Sequence, residues 1–432
     1  MERSARVWPV ALLLSACGAA GADIVLDWNR ELLNTIKATN TAPPVASRAM
    51  AMTHVAVYEA VNSVDRGCSP YRQYLDCPAG TSREAAAAVA AHRVMSELFP
   101  TRRANFDQLL AAQLDTIQNG DPKTAGRQLG TDAGDWMLAL RAADHSGDTP
   151  PIVPDGAEPG QWRRTPPGFQ DPALPHWGTV APWGVATAAQ FGAGPRPSLT
   201  SRAYTDAYNQ VKELGAANSA TRTADQTDTA FLWRAGPNSV TPPGMWNQIA
   251  QQAAESRGLN LLANARLFAL LGMAEADAAV TVWRTKYTEL FWRPVTAIQL
   301  GGADTNDQTQ GDPAWAPLFG TPNHPSYASG HSTFSAAAAA VLRDFIGTDV
   351  FTFTVEGDNR ARQYLDFTSA MNEAGMSRIY GGIHWSFDNE AGLASGAAIG
   401  DWIFSTQLQV PAPATGALGL IGCLAAARRR RR

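Results

Sequence analysis

The chain has 432 residues, 17% of them charged, and a formal net charge of −4 at pH 7. Its ends carry +6 of formal charge, +1 in residues 1–22 and +5 in the terminal arginines, so the body at 23–409 carries −10. A mildly acidic body lacks the basic excess that a nucleic-acid partner requires, and it is long for a single domain.

Residues 1–22 combine Arg3 and Arg6, an apolar run from Val7 to Leu14 and small residues at Ala20-Gly21-Ala22. This predicts an export signal cleaved before Asp23. Leu14-Ser15-Ala16-Cys17 also resembles a lipoprotein signal-peptidase site, in which Cys17 would become the lipidated first residue. Apolar residues at helical spacing, with abundant alanine, then predict helices over 24–37, 45–61, 82–98, 102–117, 126–143, 201–214, 245–256 and 260–290. Within them, His54, Tyr58 and His92 read as packing residues. Later helices are expected over 332–345, 359–376 and 384–405. No strand series interrupts them, so the fold class is all-α.

Cys17 and Cys423 lie in the ends, leaving Cys68 and Cys77. A pair closing a short loop in an exported chain predicts a disulfide, with two free thiols as the alternative. The Pro/Gly-rich stretch 147–197 divides the helices into two groups. A loop this long in a compact body is usually functional, and Trp162, Trp177 and Trp183 suggest that it packs down near a pocket entrance. His145 and His176 in it have no metal-ligand spacing. A second irregular piece, 233–247, is expected at the same mouth. The chain closes with Val410-Pro411-Ala412-Pro413, an apolar run to Ala427 and five arginines. That run is shorter than the roughly 20 residues of a membrane span. The arrangement resembles the PEP-CTERM sorting signals of Gram-negative bacteria, which implies an exosortase-type processing enzyme as partner and an address in the periplasm, envelope or exterior. The arginines would stay cytoplasmic.

Three clusters between Trp283 and Asp388 carry the chemistry. They read Lys286-x6-Arg293-Pro294, Ser329-Gly330-His331, and Ser377-Arg378-x3-Gly382-x-His384-x3-Asp388. If 283–292 is helical, Lys286 and Arg293 project from nearly one face and reach one ligand. Ser329-Gly330 enters an alanine-rich helix whose free amides favour an anion. Gly381-Gly382 predicts a bend, with His384 and Asp388 one turn apart beyond it, so that Asp388 fixes the His384 tautomer. The combination is an oxyanion pocket with two histidines for proton transfer or covalent attack.

These clusters resemble the signature shared by the vanadium-dependent haloperoxidases and the type 2 phosphatidic acid phosphatases (the PAP2 superfamily). The resemblance implies a single helical domain of two four-helix bundles over residues 23–409. It also implies vanadate, or phosphate in the same site, held by Lys286, Arg293, Ser329, Gly330 and Arg378, without haem or nucleotide. His384 would be the vanadium ligand or nucleophile and His331 the acid–base group. Ala328 stands where the family usually has proline. Trp283 resembles a chloroperoxidase tryptophan, and His324 a bromoperoxidase histidine, so these halide-pocket residues assign no halide. The sequence assigns no oligomeric state either. The run after Ser377 and the lack of a set of membrane helices favour the haloperoxidase branch. There hydrogen peroxide and halide would be the substrates, with Lys286 polarising bound peroxide. The alternatives are an exported phosphatase, in which His384 attacks a phosphate ester, and a non-catalytic envelope protein with an anion-binding pocket.

Overall fold

The computed structural model describes residues 23–411. The segment expected to be an export signal and the apolar run of the expected sorting tail, with Cys17, Cys423 and the arginine cluster, lie outside the described residues.

The longest element is α9 (Leu261–Glu289), capped by the Asn260 side chain and buried along nearly its whole length. A helix that is buried on all faces belongs at the centre of a helical protein. Around it pack α1 (Ile24–Ala38), α2 (Pro43–Asp65), α8 (Thr241–Arg257), α11 (Gly330–Ile346) and α13 (Ser386–Thr406). On the N-terminal side, α3 (Arg83–Leu98), α4 (Arg103–Asp115) and α5 (Asp121–Leu140) build onto α2. On the C-terminal side stand α6 (Arg202–Leu214), α7 (Ala224–Leu232), the short α10 (Pro294–Gln299) and α12 (Phe367–Tyr380). The expected helices are present except over 359–366, and α7 and α10 are additional. Among the described residues, no helix is long and apolar enough to cross a membrane.

Two strands correct the all-α expectation. Strands β1 (Val350–Gly357) and β2 (Arg360–Asp366) pair antiparallel, with Gly357 opposite Arg360. The turn residues Asp358 and Asn359 have φ of 49° and 60°, the left-handed pair of a two-residue hairpin. Phe353, Val355 and Tyr364 are buried while their neighbours face outward, so the period is two. The helix expected over 359–376 therefore begins only at Phe367, capped by Asp366.

Small residues set the closest helix contact. Gly392, Gly396 and Gly400 of α13 face α11, where an added Cβ would lie 2.7, 2.2 and 2.4 Å from the carbonyl oxygens of Ser329, Thr333 and Ala337. Real Cβ atoms do not approach so near, so these glycines let the two backbones touch. That contact brings the start of α11 beside the start of α13.

The stretch 147–197 is packed, as its tryptophans suggested, with Trp162, Trp177 and Trp183 each 2% exposed. Asp277 of α9 anchors it by accepting the amides of Trp183, Gly184 and Val185 at 2.6–2.9 Å. The expected Cys68–Cys77 disulfide is absent, and both thiols are free. The Cys77 thiol faces the Ser63 carbonyl at 3.7 Å, and the buried Cys68 lies by Tyr58 and Arg266, so each sulfur has other neighbours.

Candidate active site

The last turn of α9, the segment 290–293, the loop before α11, and the Gly381–Trp385 bend converge on one place. Leu290 ends α9 in the left-handed conformation, with φ 44°. The chain turns there, and Arg293 becomes the cap residue of α10. Lys286 and Arg293 thus do not share a helix face, and the expectation of a continuous helix over 283–292 is corrected. They still approach the same centre, from two elements.

Arg293 is fully buried and spends its guanidinium on four acceptors. Nε donates to the His324 carbonyl (2.8 Å), Nη1 to the Ile383 carbonyl (2.7 Å) and to His384 Nε2 (3.1 Å), and Nη2 to His324 Nδ1 (3.0 Å). A guanidinium only donates, so both of those ring nitrogens are lone-pair acceptors. The Pro325 carbonyl, 3.2 Å from the same His324 nitrogen, is then a close approach and not a bond.

The other nitrogen of His384, Nδ1, lies 2.7 Å from Asp388 Oδ2. The imidazole is therefore held as the tautomer with its proton on Nδ1 and a lone pair on Nε2. The expected pairing is present, though not along a helix: His384 precedes α13, and Asp388 sits in its first turn, where it also accepts the Trp385 amide at 3.2 Å. Ser326 donates its hydroxyl to the same Asp388 oxygen, at 2.5 Å. Burial raises the Asp388 carboxyl to about 6, against the pull of Ser326 and of Lys286. Sequence reasoning missed Ser326, because a loop residue has no periodicity to betray its direction.

Lys286 is buried, and its ammonium donates to the carbonyls of Pro325 (2.9 Å), Ser326 (2.8 Å) and Ala328 (2.5 Å). It clasps the loop that leads into α11. Burial and then Arg293 push its pKa well below the lysine range, while Asp388 acts the other way. Ser329 caps α11 through its side chain, and its amide donates to the Asp388 carbonyl at 2.9 Å, which ties the two helix starts together.

His331 lies one residue into α11, with Nε2 3.3 Å from the Arg234 carbonyl. A carbonyl only accepts, so Nε2 carries the proton and Nδ1 is left as a base. Burial first, then Arg378, hold its pKa well below the ordinary histidine value. For His384 the causes are burial and then Arg293. Arg378 reaches the carbonyls of Trp233 and Arg234 at 3.3 and 3.5 Å, while its buried Nε has no partner. Burial lowers Arg378 to about 9 and Arg293 to about 10.

A cavity of about 620 Å³ opens onto this cluster. Gly330, His331, Arg378, His384, Trp283 and His324 line it; Lys286, Arg293, Ser329 and Asp388 lie behind its wall. The His324 ring stands 5.1 Å from that of Trp283. Both irregular pieces expected at the mouth, 147–197 and 233–247, contribute to its rim.

Charge decides what such a site can hold. Lys286, Arg293 and Arg378 are 0–3% exposed, and none forms an ion pair with a carboxylate among the described residues. Buried cations that outnumber the one nearby carboxylate, Asp388, are costly, so the residues present fit an oxyanion such as vanadate. The unpartnered Arg378 Nε and the first amides of α11 are donors on its side.

Comparison with known proteins bears on the same residues. Residues 266–411 match the family described as the VCPO second helical-bundle domain. The vanadium chloroperoxidase of Curvularia inaequalis is 27% identical over 487 aligned positions, covering 85% of this chain and 79% of that protein. A bacterial vanadium-dependent iodoperoxidase structure superposes with a TM-score of 0.78 at 25% identity, covering 90% of this chain and 97% of the other. A holo-type bacterial vanadium-dependent chloroperoxidase shares the fold, with a TM-score of 0.68 at 17% identity over 85% of this chain and 92% of that one.

Proposed function

Because this chain belongs to the vanadium haloperoxidase family, we propose that it is a vanadate-dependent enzyme that uses hydrogen peroxide to oxidise halide and so halogenates organic compounds. The observation that carries this reading is the group of three buried cations lacking a carboxylate partner, set around a histidine whose Nε2 is held as a lone-pair acceptor facing Arg293.

His384 Nε2 is the atom that would bond vanadium, and Arg293, Arg378, the Gly330 amide and the capped start of α11 would hold the oxygens. When bound, vanadate supplies an electrophilic centre at which peroxide is activated toward halide without a change of metal oxidation state. The protein contributes the rest. Asp388 and Ser326 keep the His384 proton on Nδ1. His331 Nδ1 takes and returns the proton of incoming peroxide, because Nε2 is already committed to the Arg234 carbonyl. Lys286 fixes the 325–328 segment and places a positive charge behind the site. Trp283 and His324 line the cavity beside this cluster and would flank the halide. The helices are read as two four-helix bundles about α9, and residues 1–22 and 410–432 as export and sorting segments that place the enzyme in the envelope or outside the cell.

The test is to incubate purified protein with orthovanadate, dialyse it into phosphate-free buffer, and follow peroxide- and bromide-dependent bromination of a phenolic dye. Hydrolysis of a chromogenic phosphate ester by vanadate-free protein is measured alongside. Vanadate-dependent bromination supports the reading; ester hydrolysis inhibited by vanadate, without bromination, overturns it.

A further inference from the structure

The cavity above the cluster is far larger than peroxide and halide need. Its volume of about 620 Å³ compares with roughly 30 Å³ for one water, and it falls in the usual range for sites that take small organic molecules. Its walls are aromatic and proline-rich, with Trp283, Phe319 and Phe334 among them and the turn Pro166-Pro167 at the rim. The lining residues include two arginines, Arg378 at the floor and Arg234 above it, and no aspartate or glutamate. Phe319 links the two, its ring centroid 5.9 Å from the Arg378 guanidinium and 5.3 Å from that of Arg234.

Arg234 differs from the cations below it. Its side chain is 42% exposed, and its sole ion-pair partner among the described residues is Asp358 of the hairpin turn, at 3.5 Å and 38% exposed. Such a surface pair contributes little and yields readily to a competing anion. Only the backbone carbonyl of Arg234 touches the histidine–arginine cluster, so its side chain is free for another task.

We propose that the cavity is a binding site for an organic acceptor of defined chemistry, an electron-rich aromatic carboxylate. Its ring lies against the aromatic and proline walls, and its carboxylate is held by Arg234. The charge of the lining selects an anion, and a planar fork on a rim arginine suits a carboxylate bidentately. This inference rests on the haloperoxidase reading for turnover but not for binding. In turnover, halide gives up two electrons to peroxide, a ring C–X bond replaces a C–H bond, and the ring proton is released. Overall, Ar–H, X⁻, H₂O₂ and H⁺ give Ar–X and two waters.

Calorimetric titration of full-length protein with 4-hydroxybenzoate and with its methyl ester tests this, before and after saturation with orthovanadate, with retained vanadium counted separately. The acid binds in both states and more tightly than the ester. Arg234→Gln weakens the acid by about tenfold or more and leaves the ester unchanged, the loss expected of one charge-assisted contact. Asp358→Asn, which removes the competing carboxylate, tightens the acid instead. Equal binding of acid and ester, an acid affinity indifferent to both substitutions, or loss of acid binding on vanadate loading overturns the proposal; the last result would place the carboxylate in the oxyanion cluster. Failure to retain vanadium would sink the haloperoxidase reading while leaving the titrations to be judged on their own.

Discussion

Two groups of largely buried cations pack at α9, and they are built on opposite plans. On one side Arg141, 5% exposed, and Arg48 share Asp144 at 2.9 and 2.7 Å, and Arg141 also stacks on Trp183 at 4.2 Å. On the other, Lys286, Arg293 and Arg378 have carbonyls and imidazoles as partners but no carboxylate of their own. The first group is paired to a carboxylate and holds the 181–185 segment in place. The second leaves a positive charge facing a cavity. Burial alone therefore does not distinguish a functional cation from a structural one; the missing carboxylate partner does.

Substitutions can break that contrast. The largest effect is expected from His384→Ala, which removes the nitrogen that would bond vanadium. Vanadate-dependent bromination should fall at least about a thousandfold while far-UV circular dichroism is unchanged. Retained activity would mean the site has been misplaced. Arg378→Ala and Arg141→Ala then set the two groups against each other. The first should weaken vanadate binding by roughly 10–100-fold in equilibrium dialysis with little change in melting temperature. The second should cost roughly 3 kcal/mol in denaturant unfolding, because Asp144 loses a buried partner, and leave vanadate affinity in the folded protein unaltered.

Ser326→Ala sharpens the contrast within the cluster. Losing one hydroxyl bond to Asp388 should weaken vanadate binding about fivefold to tenfold. Restoration by Ser326→Thr would identify the hydroxyl as the cause. The smallest effect near neutral pH concerns His54, a buried histidine of α2 outside the cavity, whose Nδ1 has no partner. Burial lowers its pKa to about 3. The unfolded chain takes up a proton below about 6.5 that the folded chain refuses, so stability falls as pH drops from 6.5 toward 3. This one group contributes up to about 1.4 kcal/mol per pH unit in that window. Urea unfolding of His54→Phe at pH 7 and pH 5 should show a shallower loss than the parent protein.

Much of the site was legible in the sequence, because its residues sit at helix starts and in short motifs. Ser329-Gly330 before an alanine run, and His384 followed by Asp388, announce themselves through local chemistry. Lys286 and Arg293 were grouped correctly for the wrong reason: nothing in a run of helix formers signals that Leu290 will turn left-handed, a choice made where its carbonyl accepts the Trp162 amide at 2.6 Å. The hairpin was hidden similarly. Val350–Gly357 and Arg360–Asp366 alternate, but only tertiary packing of Phe353 and Tyr364 decides against a helix. Cys68 and Cys77 matched a compositional rule that the positions of their neighbours override. Ser326 and Arg234 act through contacts spanning 62 and 97 residues of chain, and no local pattern encodes these.

The central claim is that the three unpaired cations exist to hold an oxyanion on His384. Its most direct test is the vanadium retained per chain after equilibrium dialysis of wild-type protein against orthovanadate, with and without excess phosphate. One equivalent retained, displaced by phosphate and lost in His384→Ala, is the predicted result. No retention, or retention indifferent to that substitution, would contradict it.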